Sequence, residues 1–331
     1  MNWKNAFAGF CETMQQAADE KPLVIVITGP TASGKSDTAL CLAEKLGGEI
    51  VSADSMQVYR GMDIGTAKVS LADRQKVPHH LIDILDPGTP FSVAAYQELA
   101  GKAIAAILDK GATPIVCGGT GQYLSALVEG LRFAMAPADP AIRARLQARE
   151  KEEGAEKLWQ ELEKIDPQAA ARISHHDARR LVRALEIHEQ TGRSMSWHDA
   201  RSRMVEPAYT YRAYCLNHKR SELYRRIDQR VLQMVDLGLA GEAQQLFQKQ
   251  LPPDCTCLQA IGYKEWFAFF QGETTQAETI ESIQRASRRY AKRQLTWFRK
   301  MDGLIWLEDK DVHTTCHDIQ TDLARSGLLK N

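Results

Sequence analysis

The order of apolar runs and amphipathic stretches along the chain predicts a parallel β-sheet covered by helices. Leu23–Thr28 and residues 113–117 are apolar runs that contain Val and Ile. Such runs are typical of strands that are buried on both faces, as in parallel sheets. Shorter strand patterns lie at residues 49–53, residues 209–216 and Leu304–Leu307.

Helical patterns fill the intervals between these strands and indicate how the chain is divided. We predict helices at residues 36–47, 94–110, 219–237 and 279–300. Residues 141–192 have a helical, strongly charged pattern without a strand signal, and residues 135–140 are typical of a linker. The fold class is therefore α/β, with a parallel-sheet core flanked by helices and an inserted all-helical subdomain. The predicted division is an N-terminal extension at 1–21, a core with C-terminal helices at 22–134 and 207–331, and the insertion at 135–206.

The composition sets few limits on function. The chain of 331 residues carries 42 Lys and Arg residues and 42 Asp and Glu residues. A balanced charge neither favours nor excludes a nucleic-acid partner, so only local clusters of charge are informative. The first 20 residues include acidic side chains and no long apolar run, and no stretch is long enough to span a bilayer. We therefore expect a cytoplasmic protein without a membrane partner.

A phosphate-binding loop follows the first strand and precedes a helix. The pattern GxxxxGK[ST] is matched by Gly29, Pro30, Thr31, Ala32, Ser33, Gly34, Lys35 and Ser36. Loop N–H groups and the positive end of the following helix favour phosphate oxygens. Lys35 adds a cation, and the Ser36 hydroxyl is placed to ligate Mg²⁺. The core is thus a P-loop core, typical of nucleotide-binding and ATP-binding proteins, although the motif does not identify the phosphorylated molecule.

The residues that follow two of the predicted strands indicate which phosphate chemistry the core supports. In nucleotide hydrolases a second buried strand usually ends in an acid that holds Mg²⁺. Here residues 113–117 are followed by Gly-Gly-Thr-Gly, which disfavours a hydrolytic motor but leaves small kinases open. Asp54 closes the strand at 49–53, and ligands of parallel sheets bind beyond the carboxyl ends of strands. Asp54 is therefore a candidate catalytic group, and the alternative is a residue that caps a turn or helix.

Seven segments together resemble the bacterial tRNA dimethylallyltransferases. They are GPTASGKS (29–36), DSMQVYRGMDIGTAK (54–68), HHLID (79–83), GGTGQY (118–123), DARRLVRALE (177–186), AIGYKE (260–265) and RRYAKRQLTWFRK (288–300). The resemblance runs from about residue 23 to about residue 307, and the second and last segments are its most specific parts. It implies transfer of the dimethylallyl group of dimethylallyl diphosphate to N6 of the adenosine at tRNA position 37. Mg²⁺ assists and diphosphate leaves, which accounts for the missing hydrolytic acid.

The resemblance also implies roles for individual residues. Asp54 would take the N6 proton, the loop from Thr31 to Ser36 would bind the donor, and Lys35, Arg226 and Arg230 would stabilise the leaving diphosphate. Arg226 and Arg230 are spaced to share one helix face. The implied tRNA contacts are Asp54, Ser55, Met56 and Gln57 around a flipped adenine, with Thr120, Arg143, Arg179, Arg180, Arg183, Gln259, Ala260, Ile261, Gly262, Tyr263 and Lys264. The partner would be the tRNA anticodon stem-loop, bound by a monomer whose insertion at 135–206 contacts the tRNA. Gln122 stands where the family usually has Leu, and the family's eukaryotic zinc finger has no counterpart here.

A basic stripe lies on the predicted helix at 279–300. Arg285, Arg288, Arg289, Lys292 and Arg293 share one face, and no acid lies between residues 285 and 300. We assign RNA contact to Arg288, Lys292 and Arg293, with pairing to acidic neighbours as the alternative. We expect Trp297 and Phe298 to belong to the core, although aromatic rings at such a place can also stack on a base. For His79, His80, His175 and His176 we expect packing or capping.

Two other functions remain open from the residues alone. An ATP-dependent small-molecule kinase would account for the phosphate loop but not for the basic stripe. An RNA-binding switch of the P-loop class would not account for Asp54, because it needs no catalytic carboxylate. Nucleotide hydrolysis and donor binding distinguish these alternatives from prenyl transfer.

Overall fold

The computed structural model describes residues 21–130, 139–202 and 206–329. Residues 1–20 of the predicted extension and residues 135–138 of the predicted linker lie outside this part. Contacts group the chain into a first unit, up to Leu124 and again from Ala208, and a second unit, Ser125–Pro207. The bounds that we predicted for the insertion, 135–206, lie within the second unit.

The first unit is built on a parallel sheet, as predicted. Its order is β3-β2-β4-β1-β5-β6, and every neighbouring pair is parallel. The strands are β1 (Leu23–Thr28), β2 (Gly48–Ser52), β3 (His79–His80), β4 (Thr113–Gly118), β5 (Thr210–Leu216) and β6 (Leu304–Leu307). β1 lies at the centre between β4 and β5, which agrees with its continuous apolar sequence.

The helices of the described residues follow the predicted pattern within a few positions where both can be compared. They are α1 (Lys35–Leu46), α2 (Leu71–Lys76), α3 (Val93–Asp109), α4 (Gly121–Val128), α5 (Pro140–Glu153), α6 (Ala155–Ile165), α7 (Pro167–Ala170), α8 (Ala178–Thr191), α9 (Met195–Ser202), α10 (Arg220–Asp236), α11 (Leu239–Gln248), α12 (Lys264–Phe270), α13 (Gln276–Phe298) and α14 (Val312–Arg325). A 3₁₀ turn, Thr256–Gln259, precedes α12. Within the described ranges no helix is both long and apolar enough to cross a membrane.

One apolar cluster of the first unit fixes the sheet to the helices beside the phosphate loop. Ile25 and Ile27 of β1 are fully buried and pack with Leu42 of α1 and Ile319 of α14. Burying one such side chain contributes roughly 1.5–3 kcal/mol. The turn between β1 and α1 is therefore held on a rigid base.

The second unit is helical throughout its described part and has a core of its own. Leu146, Leu158, Leu162 and Leu181 are buried in this core. The end of the predicted linker is wrong in detail, because Pro140 already begins α5 and the Asp139 side chain caps it. Proline favours a first helical position, where it has no N–H to satisfy.

Candidate active site

The phosphate loop lies between β1 and α1 at the carboxyl edge of the sheet. Gly34 precedes α1 with a φ of 84°, a left-handed conformation that glycine adopts without strain. The N–H groups of Lys35 and Ser36 lie in the first helical turn, where helix geometry supplies no partner for them. This helix end therefore presents donors and a positive partial charge to an anion.

Gln294 of α13 fixes the loop from outside and was not among the residues that the sequence indicated. Its Oε1 accepts a hydrogen bond from the Thr31 N–H at 2.9 Å, and its Nε2 donates to the Gly119 carbonyl at 2.8 Å. A Cβ at position 119 would lie 2.3 Å from Nε2, so this approach requires glycine. The buried amide thus joins the loop to the turn after β4.

A cavity of about 70 Å³ lies beside the loop and contains most of the predicted catalytic groups. Its polar lining includes Lys35, Ser36, Asp54, Gln57, Arg230, Tyr290 and Gln294. Its apolar lining includes Ala39, Ile50, Val69, Ile82 and Cys117. A wider groove of about 580 Å³ shares Lys35, Ser36 and Arg230 with the cavity. The cationic groups therefore lie where the groove and the cavity meet.

Burial lowers the pKa of both cations in the cavity. Burial, followed by the nearby Arg230, lowers the pKa of Lys35. Burial lowers the pKa of Arg230, against the opposing charges of Asp54 and Asp37. Arg230 forms no ion pair with any residue in the described ranges, and Lys35 donates only to the Pro30 carbonyl, at 3.4 Å. Two adjacent cations that form no ion pair with a described residue favour an anion of high charge.

Arg226 lies on the groove side of the loop. Its Nε donates to the Ala32 carbonyl at 3.1 Å, and its guanidinium lies beside Gly34. Arg226 and Arg230 both line the groove, whereas only Arg230 also lines the cavity. The helix spacing therefore brings both arginines to the loop, as the sequence predicted, but gives them different positions.

Asp54 caps a turn, as one of the two alternatives predicted, and its side chain also lines the cavity, where the other alternative would require it. One oxygen, Oδ1, accepts hydrogen bonds from the backbone N–H groups of Met56 at 2.8 Å and Gln57 at 3.3 Å. The other oxygen accepts no hydrogen bond from the described part of the chain, and the side chain lines the cavity. Asp54 thus stabilises a turn and still presents a carboxylate oxygen to a ligand.

Hydrogen bonds to three other parts of the chain fix the segment after Asp54. The Ser55 N–H donates to Thr120 Oγ1 at 3.1 Å. Gln57 accepts from the Ser52 hydroxyl at 3.2 Å and donates from Nε2 to the Thr66 carbonyl at 3.2 Å. Because both ends of this amide have partners, its orientation is defined.

Tyr290 is a second lining residue that the sequence did not single out. Burial, followed by the Asp54 carboxylate, raises the pKa of its hydroxyl, so the hydroxyl keeps its proton. The side chains of Thr120 and Gln294 lie beside this hydroxyl. Tyr290 and Gln294 are four residues apart on α13, and this spacing is the only signal from which they could have been paired.

His79 and His80 form the short strand β3, which the sequence did not predict. His79 donates from Nδ1 to the Val77 carbonyl at 2.7 Å and lines the cavity. Burial, more than Arg74, lowers the pKa of His79 and favours its neutral form. His80 pairs with Glu49 at 2.7 Å. His80 therefore contacts a carboxylate and His79 lines the cavity, which goes beyond the expected packing or capping, while His175 and His176 are exposed.

The arginines of the second unit include a pair that shares one buried carboxylate. Glu186 is fully buried, and its Oε2 accepts from Arg143 at 2.8 Å and from Arg183 at 2.9 Å. Burial alone would raise the pKa of Glu186, but the hydrogen bonds and charges of Arg143 and Arg183 lower it overall, so the carboxylate stays charged. Arg179 and Arg180 are exposed. Of the arginines predicted to contact RNA, two are thus exposed and two are partly exposed and held in place by Glu186.

The basic stripe on α13 is less uniform than the sequence suggested. Arg288 forms an ion pair with Asp228, and the Arg293 guanidinium lies 5.6 Å from the centre of the Tyr290 ring. Arg285 lies 3.8 Å from Glu281. Arg289 and Lys292 are exposed and have no ion pair within the described ranges. The prediction of a purely basic surface is therefore wrong in part, because acidic side chains lie beside two arginines of the stripe and an aromatic ring lies beside a third.

The residues predicted to contact tRNA at 259–264 differ in exposure. Ala260 and Tyr263 are buried, so their side chains cannot present a surface to tRNA in this conformation, whereas Gln259 and Lys264 are exposed. Trp297 is 41% exposed and packs against Gly121, so it lies at the margin of the core. Phe298 is fully buried, as expected.

Comparison with known proteins gives a consistent result. A family profile described as IPP transferase matches residues 57–301, and one described as isopentenyl transferase matches residues 22–83. The chain is 46% identical to tRNA dimethylallyltransferase 1 of Trichlorobacter lovleyi, over 90% of this chain and 97% of the relative. Among solved structures, tRNA isopentenylpyrophosphate transferase of Bacillus halodurans is 43% identical with a TM-score of 0.68, covering 92% of this chain and 96% of its own. A eukaryotic dimethylallyltransferase acting on tRNA is 29% identical with a TM-score of 0.80, covering 92% and 79%.

Proposed function

Because the chain belongs to the tRNA dimethylallyltransferase family, we propose that it transfers a dimethylallyl group from dimethylallyl diphosphate to N6 of the adenosine at tRNA position 37. The kinase alternative is not favoured, since the relatives and structural neighbours are tRNA prenyltransferases. We further propose that the enzyme acts as a cytoplasmic monomer on the anticodon stem-loop.

The observation that carries the proposal is the joint position of two cations and one carboxylate. Lys35 and Arg230 line the same cavity as Asp54, and β4 ends in glycines rather than in a metal-holding acid. Breaking the bond between C1 and oxygen places one further negative charge on the already charged diphosphate, and adjacent cations stabilise it. The apolar lining that includes Ile50 and Ile82 suits a five-carbon hydrocarbon group.

The chemical step balances as an alkyl transfer. The N6 lone pair forms a bond to C1 of the allyl group, the bond from C1 to the diphosphate oxygen breaks, and its electron pair leaves with diphosphate. The amine proton then passes to the uncommitted oxygen of Asp54. Since an adenine inside a stacked anticodon loop cannot reach this cavity, the base must flip out of the stack.

Mg²⁺ is proposed as the cofactor, and the available ligands fit it. The Ser36 side chain lines both the cavity and the groove, and its hydroxyl has no hydrogen bond to a described residue. Within the described ranges no cluster of three or more His, Cys, Asp or Glu residues could hold a metal ion. Mg²⁺ commonly combines one or two protein oxygens with substrate phosphate oxygens and water. When bound, it would neutralise part of the diphosphate charge.

The direct test is incubation of the protein with dimethylallyl diphosphate, Mg²⁺ and bulk tRNA, followed by mass spectrometry of the nucleosides. The proposal predicts adenosine that carries one additional five-carbon group. A matched reaction with ATP in place of the prenyl donor should leave the tRNA unchanged. Phosphoryl transfer from ATP to a small acceptor, without prenyl transfer, would contradict the proposal.

A further inference from the structure

A carboxylate outside the cavity holds the loop of residues 61–68, here called the GMDIGTAK loop. Glu242 lies in the first turn of α11. Its Oε2 accepts hydrogen bonds from the N–H groups of Asp63 at 2.8 Å and Ile64 at 2.9 Å, and its Oε1 accepts from the Gly65 N–H at 3.0 Å. Hydrogen bonds to an ionised carboxylate are about twice as strong as neutral ones. Three successive backbone groups are thereby fixed by one side chain.

Tyr263 completes this anchor from the adjacent segment. Its hydroxyl donates to Glu242 Oε1 at 2.6 Å, and the ring is fully buried. Burial, followed by the Glu242 carboxylate, raises the pKa of Tyr263, so the hydroxyl stays a donor. A Cβ at Gly65 would lie 2.4–2.8 Å from three atoms of the tyrosine side chain, so the packing of loop on ring requires glycine.

The anchored loop reaches the cavity through its last residues. Thr66 lines the cavity, and the carbonyl oxygens of Thr66 and Ala67 accept from Gln57 Nε2 at 3.2 and 3.5 Å. Gln57 in turn donates its backbone N–H to Asp54 Oδ1. Neither Glu242 nor Tyr263 lines the cavity. Hydrogen bonds, joined by the loop backbone and by Gln57 itself, therefore connect Glu242 to the proposed adenine site.

We propose that Glu242 is a positioning residue for the transfer reaction, acting through the GMDIGTAK loop on the side-chain amide of Gln57. This inference rests on the proposed function. The two loop carbonyls define which end of the Gln57 amide faces them. If the loop shifts, Gln57 loses this orientation, and the acceptor adenine loses a defined neighbour beside Asp54. A small displacement of a positioning group is enough to slow a reaction by about 10²-fold.

The experiment compares Glu242→Gln with the wild-type protein in single-turnover prenyl transfer at saturating donor and tRNA. Gln has the same shape, but its NH₂ group is a donor and cannot accept hydrogen bonds from the backbone N–H groups of the loop. We expect the rate to fall by about tenfold or more, with donor affinity changed by less than about twofold. Tyr263→Phe is the matched control, because it removes one hydroxyl and leaves the three backbone hydrogen bonds. Its effect should be several times smaller.

Two further measurements separate positioning from general stability. Hydrogen exchange of the peptide 61–68 should accelerate in Glu242→Gln, while that of the peptide carrying the phosphate loop stays as in the wild type. In addition, Glu242→Gln should lower the transfer rate little further in a protein that already carries Gln57→Ala, because both substitutions act on the side-chain amide of Gln57. Gly65→Ala keeps the carboxylate and displaces the loop, and it should reproduce the slow transfer even if Glu242→Gln folds poorly.

The outcomes also distinguish this inference from the proposed function. Prenyl transfer by neither the wild type nor any variant contradicts the proposed function. Normal transfer by the wild type, with Glu242→Gln and Gly65→Ala within about twofold of it, contradicts only the role of Glu242. Full additivity of Glu242→Gln with Gln57→Ala likewise overturns the route through Gln57.

Discussion

The side-chain oxygen of Gln294 accepts a hydrogen bond from the backbone N–H of Thr31, at 2.9 Å and across 263 residues of sequence. A helix near the end of the chain therefore fixes the phosphate loop near its beginning. The same amide donates to the Gly119 carbonyl, so one side chain joins the loop to the turn after β4. This contact closes the cavity on the side of α13.

Replacing Gln294 by Leu should destabilise the protein and weaken donor binding. The change leaves the Thr31 N–H and the Gly119 carbonyl without their partner, and each unsatisfied buried group costs about 1–3 kcal/mol. We expect the free energy of unfolding to fall by about 2–4 kcal/mol in chemical denaturation. Gln284→Leu is the control, because Gln284 lies on the same helix and only donates to the Asp228 carbonyl, at 3.3 Å. Equal stability of the two variants would show that the Gln294 contact does not support the loop.

Lys35 should make donor affinity depend on pH in the alkaline range. Burial and Arg230 lower its pKa from the usual value of 10.5, and only the charged form attracts diphosphate. Donor affinity should therefore be full below the lowered pKa and fall as the pH rises through it, by about 10- to 100-fold once Lys35 is neutral. Titration calorimetry across this range measures the effect. A Lys35→Arg variant should retain its affinity, and an identical decline in that variant would exclude Lys35 as the titrating group.

The same pKa shift predicts a cost in stability. The unfolded chain binds the Lys35 proton more tightly than the folded chain, so stability increases with pH between the two pKa values. Below both values the charged lysine destabilises the fold by a constant amount. Lys35→Met should therefore raise the melting temperature at neutral pH while it weakens donor binding. A lower melting temperature would contradict this cost and show that the folded protein stabilises the charged form of Lys35.

The exposed cations of α13 should account for part of the tRNA affinity. We expect the double variant Arg289→Ala and Lys292→Ala to weaken tRNA binding and to reduce its dependence on salt by roughly one unit of slope per lost phosphate contact. Lys102→Ala is the control, since Lys102 is an exposed cation on α3. Filter binding at several salt concentrations measures the slope. An unchanged slope in the double variant would remove this face from the RNA-binding surface.

The sequence predicted the parts of the fold whose pattern is local. β1 and β4 are continuous apolar strands, and the glycine-rich loop and α1 follow directly from their residues. β3 was missed because two residues, His79 and His80, carry no periodicity, and its place at the sheet edge depends on pairing with β2. Gln294 and Tyr290 were missed because their roles arise only when α13 packs beside the phosphate loop. The partial exposure of Trp297 depends on the same packing.

Substitution of Asp54 tests the central claim most directly, because one carboxylate oxygen stabilises the turn and the other is available to the substrate. In Asp54→Asn the remaining oxygen can still accept from the N–H groups of Met56 and Gln57, so the turn is retained. The amide that replaces the second oxygen cannot take a proton from N6. The measurement is the single-turnover rate of prenyl transfer by Asp54→Asn, with melting temperature, donor affinity and tRNA affinity recorded on the same preparation. Our account predicts a rate about 10²-fold lower or more, with stability and both affinities nearly unchanged. A near-normal rate, in a protein that is merely less stable, would contradict it and leave Asp54 as a residue of the turn.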